Sequence, residues 1–421
     1  MTFSNLFSSS RVEIWLQGAR SFVLAGCFGI TGCGLQGSNV GLEKGVASNR
    51  SQEGSVSSVN IPVTSVQSQG RFGICWAYGT IGLVEAHAKR LAHTDVNLSE
   101  EALAFYHMAE YLTEVVHTTH GIELLDFLTR GLNEGFYARI PESRRKKGEL
   151  DALDLIKKYG VVPESVWNVK FEKQEDRTWL FSNIRSRTLK YMSYHDSQSV
   201  TVQSVIDNIL VGPGAFPSQP PVRFDYAGQN YDAVAFATQA LKFDPDGYSA
   251  VETNEEVNLD RVIASIKRSL VRGEAVPFAF PINIKRLHED TFSGADAQDL
   301  NNPSQYNVDG GHLVLVTDFV NVGGAQGALS APVIRSELLK PASALDFLVF
   351  KNSWGVGGKT SATGAPIAFS KDGFYKMNLS YLRGAAHASA GQQTTLIAVV
   401  PNDIAQDPFG PEGVNPDVAL P

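Results

Sequence analysis

The chain has 421 residues, 43% of them hydrophobic, enough to bury a large core as two or three domain-sized units or one two-lobed body. Asp and Glu number 44 against 36 Lys and Arg, a net charge of -8, so the electrostatic term that drives nucleic-acid binding has no source and that class is set aside. Three cysteines are too few for a disulfide scaffold.

In chain order, Arg11 and Arg20 precede the apolar run "SFVLAGCFGITGC", and no acidic residue lies between Glu13 and Glu43. A basic segment followed by a short apolar one predicts an export signal, too short to span a membrane stably. Leu24-Ala25-Gly26-Cys27 and Ile30-Thr31-Gly32-Cys33 each resemble the bacterial lipobox, whose cysteine is acylated and becomes the new N-terminus. Cys33 is preferred because it leaves the longer apolar region, Ser21 to Gly32; Cys27 is the alternative, and a non-lipidated signal or a misplaced start is the plain reading. The resemblance implies a lipoprotein of the bacterial envelope, periplasmic or surface-exposed, held to the membrane by acyl chains at about 0.8 kcal/mol per buried methylene. Cys75 is then the one thiol of the folded body and is flagged as reactive.

Residues 34 to 60 are rich in Ser, Gly and Asn and read as a flexible tether. "CWAYGTIGLVEAHAKRLAHT" lacks proline and carries Gly79, Gly82 and Ala86 at helical spacing, which predicts a closely packed helix starting at Cys75. A second helix is expected after Ser99 as N-cap, and a third, "ELDALDLIKKYG", ends at Gly160. "LDRVIASIKRSLVRG" shows an apolar stripe of Val262, Ile263, Ile266 and Leu270 closed by Gly273. After it, "AVPFAFPI", "HLVLVTDFV", "LDFLVFKNSW" and "DGFYKMNL" are short β-branched or aromatic runs bounded by Gly, Asn and Pro, and predict strands. The Pro-rich, acidic stretch 401 to 421 reads as a disordered tail.

Nucleophilic thiol chemistry needs a thiolate, a base, a group to orient the base, and donors for an oxyanion. "VTSVQSQGRFGICWAY" resembles the nucleophile segment of papain-like cysteine peptidases, "DGGHLVLVTDF" that family's histidine strand, and "FLVFKNSWGVGG" its Asn-Ser-Trp-Gly motif. "DGFYKMNLSYL" resembles the strand that follows, and with "ALDLIKKYGVVPESVW" shows some likeness to the bleomycin-hydrolase branch. The resemblance implies an α+β, two-lobed papain-like fold, a helical lobe and a β-barrel-like lobe with the active-site cleft between them. It makes Cys75 the nucleophile, His312 the acid and base, Asn352 the group that orients His312, and Gln69 an oxyanion donor. Trp354 would shield the Asn352–His312 bond. Gly73, Gly148, Gly311 and Trp354 become the candidates for substrate contacts. The implied activity is peptide-bond hydrolysis through an acyl-enzyme, with a peptide or protein substrate, a monomeric body and no cofactor or metal.

The pattern also departs from the family's. Phe72 stands where a disulfide cysteine is usual, Ile74 where a small residue precedes the nucleophile, and the glycine pair beside the cleft is reduced to Gly148 after the basic run 144 to 147. The gap from Cys75 to His312 exceeds the roughly 130 to 150 residues usual for such enzymes. An insert over about 170–255 accounts for most of it, at little closure entropy. The expected organisation is a signal over 1–33, the tether over 34–60, and the peptidase body over 61–400, with its helical lobe about 61–169 and its β lobe about 256–400. Other readings are a catalytically inactive binding module of the same fold, and an acyl transferase using the same triad. His117 and His120 suggest a metal pair only weakly, because no acidic partner stands at ligand spacing, and they read as solvent-facing.

Overall fold

The computed structural model describes residues 59–70, 73–118, 151–169, 174–253, 259–294, 310–321, 341, 344–356, 359–360, 366–367, 370–392 and 396–409. The expected signal with Cys27 and Cys33, nearly all of the tether, Phe72, His120, Gly148 and the basic run lie outside them.

Helix α1, Cys75–His87, is buried along its whole length. Its sequence is small or apolar on every face, and a helix of that kind has no solvent side to present. It continues as a π-turn over Ala88–Ala92 and stops at His93, whose φ of 51° is left-handed. Helix α2, Glu100–Thr118, begins where the Ser99 hydroxyl accepts the Ala102 N–H at 3.2 Å, the cap expected from sequence. Helix α3, Asp151–Tyr159, ends at Gly160 with φ +74°; a Cβ there would lie 2.1 Å from the carbonyl carbon of Ala233, so glycine is required twice over.

The stretch read as an insert holds helix α4, Gln174–Met192, and a hairpin of β1, Arg223–Tyr226, and β2, Gln229–Asp232, turning on left-handed Ala227 and Gly228. Its end belongs to the main sheet: β3, Tyr248–Glu252, pairs along β12, Ile397–Pro401. Helix α5, Leu259–Val271, buries the predicted stripe of Val262, Ile263, Ile266 and Leu270. The remaining strands are β4, Val276–Ile282; β5, Leu287–His288; β6, Thr291–Phe292; β7, Gly310–Asn321; β8, Leu345–Lys351; and β11, Phe374–Asn378. A separate short pair is formed by β9, Lys359–Thr360, and β10, Pro366–Ile367.

Among the described residues the main sheet has the order β3-β12-β4-β7-β8-β11-β6-β5. It is mixed, antiparallel except between β11 and β6. Helices packed with this sheet make the architecture α+β, as expected. Helix α6, Leu379–Gln392, follows β11, and Tyr381 on it is fully buried with its hydroxyl between Asn283 N and Pro281 O.

Two expectations are corrected. The tail does not lose structure at 401: helix α7, Asn402–Gln406, packs with Ile404 and Ala405 buried, and Asn402 Nδ2 donates to Asp246 O at 2.7 Å. The paired apolar residues anchor a segment whose composition alone suggests disorder. His117 is half-buried rather than fully solvent-facing, with its Nε2 meeting Val200 O at 2.9 Å.

The contact that positions the site is between α1 and β7. A Cβ on Gly79 would fall 2.0 Å from Leu313 Cδ2, and one on Gly82 2.9 Å from Leu315 Cδ2, so the glycines let the helix lie directly on the strand. Ahead of α1 the chain is held against β7, with Val59 N donating to Asp318 Oδ1 at 2.7 Å and Ile61 N to Thr317 O at 2.9 Å.

Candidate active site

Cys75 occupies the first turn of α1, and Ile74 before it offers no side-chain cap; Ile74 O instead accepts from Ala77 N at 3.0 Å and Tyr78 N at 3.3 Å. No acidic residue lies in that first turn, so the positive end of the helix dipole favours an anionic sulfur there. Cys75 and Ile74 are both buried, and Ile74 is part of the hydrophobic core. Among the described residues Cys75 is the free cysteine.

His312 is the third residue of β7, paired across to Phe280 on β4. The Phe280 ring meets the imidazole edge-on at 5.9 Å, and Trp354 stacks on it at 5.0 Å with planes 24° apart. Its Nε2 lies 2.9 Å from Asn352 Oδ1. An amide oxygen only accepts, so Nε2 carries the hydrogen and Nδ1 is left as the basic nitrogen. Asn352 is 1% exposed, which keeps water from competing for this bond. Burial pushes the His312 imidazole down to about 4, and the Asn352 hydrogen bond, which favours the charged ring, offsets only part of that.

Gln69 is brought beside Asn352 by its neighbour Ser353. Gln69 N donates to Ser353 O at 2.8 Å, the Ser353 hydroxyl donates to Gln69 Oε1, and Ser68 and Trp354 form an antiparallel bridge. From α1, the Tyr78 hydroxyl reaches Ser68 O and Glu101 Oε1, each at 3.1 Å. The loop before Cys75 is thereby fastened both to the Asn352 turn and to the helix carrying Cys75.

Beneath these residues lies a buried charged chain. Lys351 Nζ donates to Thr64 Oγ1 at 2.9 Å, Thr64 donates to Glu85 Oε2, and Leu98 N donates to Glu85 Oε1 at 2.8 Å. Lys351 and Glu85 stand 3.9 Å apart with side chains 11% and 2% exposed. Burial raises the Glu85 carboxyl and lowers the Lys351 ammonium, and each charge partly restores the other. This ties the end of β8, one residue before Asn352, to the last turn of α1.

Of the other predicted contacts, Gly311 is exposed beside His312, with nothing within 4 Å of where a Cβ would stand. Gly73 and Trp354 are half-buried, and Gly148 lies outside the described residues. Sequence reading missed Ser353, Tyr78 and the Lys351–Thr64–Glu85 chain. Two of those were signalled: Lys351 and Ser353 flank Asn352 inside a recognised motif, and Glu85 is a lone charge on a helix apolar all round. No group of residues able to hold a metal occurs among the described residues.

No protein-family model matches the chain, and no curated protein matches it. Among solved structures it is similar to PepW from Lactobacillus rhamnosis, at 14% identity and a TM-score of 0.49 over 83% of this chain and 83% of that one. It is also similar to the bromelain protease from Ananas comosus in complex with the E64 inhibitor, at 14% identity and a TM-score of 0.35 over 80% and 93%. A third is the Carica candamarcensis cysteine protease CMS1MS2 in complex with E-64, at 15% identity and a TM-score of 0.32 over 80% and 92%.

Proposed function

We propose that the chain is a papain-like cysteine peptidase that hydrolyses peptide bonds through a thioester on Cys75. The observation that carries the reading is the buried 2.9 Å bond from His312 to Asn352, roofed by Trp354 and set on the strand against which the Cys75 helix packs. In the reaction Cys75 gives its proton to His312 Nδ1, and the thiolate attacks the scissile carbonyl carbon. The carbonyl oxygen becomes an oxyanion, met by the Cys75 N–H and the Gln69 side-chain amide. His312 protonates the leaving amine, the C–N bond breaks, and the acyl group remains on sulfur. Water then attacks the thioester with His312 as base, releasing the acid and returning the thiol.

Attachment to a bacterial envelope membrane through acylated Cys33, with Cys27 as the alternative, completes the proposal and rests on the N-terminal sequence alone. Palmitate labelling that survives replacement of both cysteines by serine would remove this part.

The test of the catalytic reading is a thiol-directed peptidyl epoxide. It should label wild type at Cys75, label His312→Ala far more slowly, and abolish peptide cleavage on labelling. A second reading, a catalytically silent module of the same fold, draws on the burial of Cys75 and Ile74 at 6% and 7% exposure. A thiol that stays unlabelled in folded wild type would select it.

A further inference from the structure

We propose that Ser353 is a positioning residue for the oxyanion donor: its hydroxyl holds the Gln69 carboxamide with Oε1 turned inward, so that Nε2–H is the end offered to substrate. The inference rests on the peptidase reading above and adds a residue to its machinery.

A carboxamide is nearly symmetric in shape and opposite in chemistry at its two ends. An oxyanion is stabilised by the N–H end and repelled by the oxygen, so a glutamine serves only if its rotation about the last bond is settled. Ser353 supplies two contacts to this one residue. Its carbonyl accepts Gln69 N–H at 2.8 Å, which fixes the backbone, and its hydroxyl donates to Gln69 Oε1, which fixes the amide. Ser353 is 7% exposed, so the hydroxyl bond forms where water competes little for it.

The surrounding turn holds Ser353 itself in place. The bridge between Ser68 and Trp354 extends the pairing by one residue. Gly355, at φ +80°, turns the chain away with a would-be Cβ 3.3 Å from Ser68 Cβ, so a larger residue there would press on the paired loop. Tyr78 reaches the carbonyl of Ser68 from α1. Since Asn352 precedes Ser353, a single turn orients the base through one residue and the oxyanion donor through the next. What the site needs at 353 is a hydroxyl, and a side chain of similar size without one does not replace it.

The experiment uses the full chain labelled with 15N-glutamine, the Gln69 side-chain amide signal being assigned by its loss in Gln69→Ala. In Ser353→Ala that signal should shift and its protons should exchange with water at least about tenfold faster, while Ser353→Thr keeps wild-type behaviour. The other glutamine signals, unmoved, report an intact fold. Steady-state cleavage of a peptide should show kcat reduced about tenfold in Ser353→Ala with KM held, restored in Ser353→Thr. On a Gln69→Ala background the Ser353→Ala change should add nothing. A Gln69 amide signal unchanged in Ser353→Ala overturns the proposal, as does a full additive loss in the double variant. Absence of peptide cleavage by wild type counts against the peptidase reading alone, because the amide spectrum still decides whether Ser353 holds Gln69.

Discussion

Burial alone holds His312 neutral down to about pH 4, and Cys75→Ala should show that value, whereas on the proposed mechanism a Cys75 thiolate should keep the wild-type ring charged at higher pH. The imidazole is buried, and that burial takes it from an ordinary 6.5 to about 4, worth roughly 3 kcal/mol at 1.36 kcal/mol per pH unit. In the proposed reaction the thiolate must stand near the ring, and at a separation of about 4 Å in an effective dielectric of about 20 such a charge would contribute about 4 kcal/mol, enough to offset the burial and favour the thiolate–imidazolium pair. The assay is an NMR titration of Cε1-labelled histidine, with His312→Gln identifying the resonance. In Cys75→Ala the linkage runs one way: the unfolded chain takes up a proton near pH 6.5 and the folded chain only near 4. Stability is therefore full above 6.5 and falls by up to roughly 3 kcal/mol as pH drops through 4, which urea unfolding at several pH values will show. Identical low midpoints in wild type and Cys75→Ala would refute the ion pair. A midpoint near 6.5 in the alanine variant would refute the argument from burial.

Asn352→Ala should lower kcat/KM about a hundredfold, the scale of a misaligned catalytic group, as peptide cleavage will measure; a loss confined to KM would speak against an orienting role. Gly79→Ala should destabilise by about 1–3 kcal/mol by chemical denaturation despite alanine's better helix propensity, because its Cβ meets Leu313; Leu313→Ala should suppress that penalty in the double variant. Lys351→Met should cost about 3–5 kcal/mol by leaving Glu85 buried without its cation, and Glu85→Gln in the same chain should recover most of it.

The elements were legible wherever periodicity and punctuation agree. The Ser99 cap, the stop at Gly160 and the stripe on α5 fall where sequence predicts them. The glycines of α1 also announced a close approach, although which strand they meet is a tertiary fact. Asn352 and His312 could be named from their motifs and meet at 2.9 Å. What was not legible is the pairing of polar side chains far apart in sequence. Nothing around Thr64 announces that it stands between Lys351 and Glu85, because hydrogen bonds of that range leave no periodic trace. The tail misled for a related reason: Ile404 and Ala405 are buried against a background of proline and acid, and the helix beginning at Asn402 depends on contacts such as Asn402 with Asp246 that composition does not record.

The buried pair under Asn352 is an uneconomical way to gain stability, since desolvating two charges usually consumes what their attraction returns. Its place in the chain suggests what it supplies instead. Lys351 reaches through Thr64 to Glu85, and Asn352, the next residue, bonds His312. The pair therefore fixes the end of β8 relative to α1 at the position where, on the proposed mechanism, a displacement of about 1 Å would misalign His312 and Cys75. Hydrophobic residues of equal volume would hold the two elements together but would leave their register less defined. On this argument the charges under the site set geometry, and the Lys351→Met/Glu85→Gln pair separates the two effects: stability returns with the second substitution, while kcat does not.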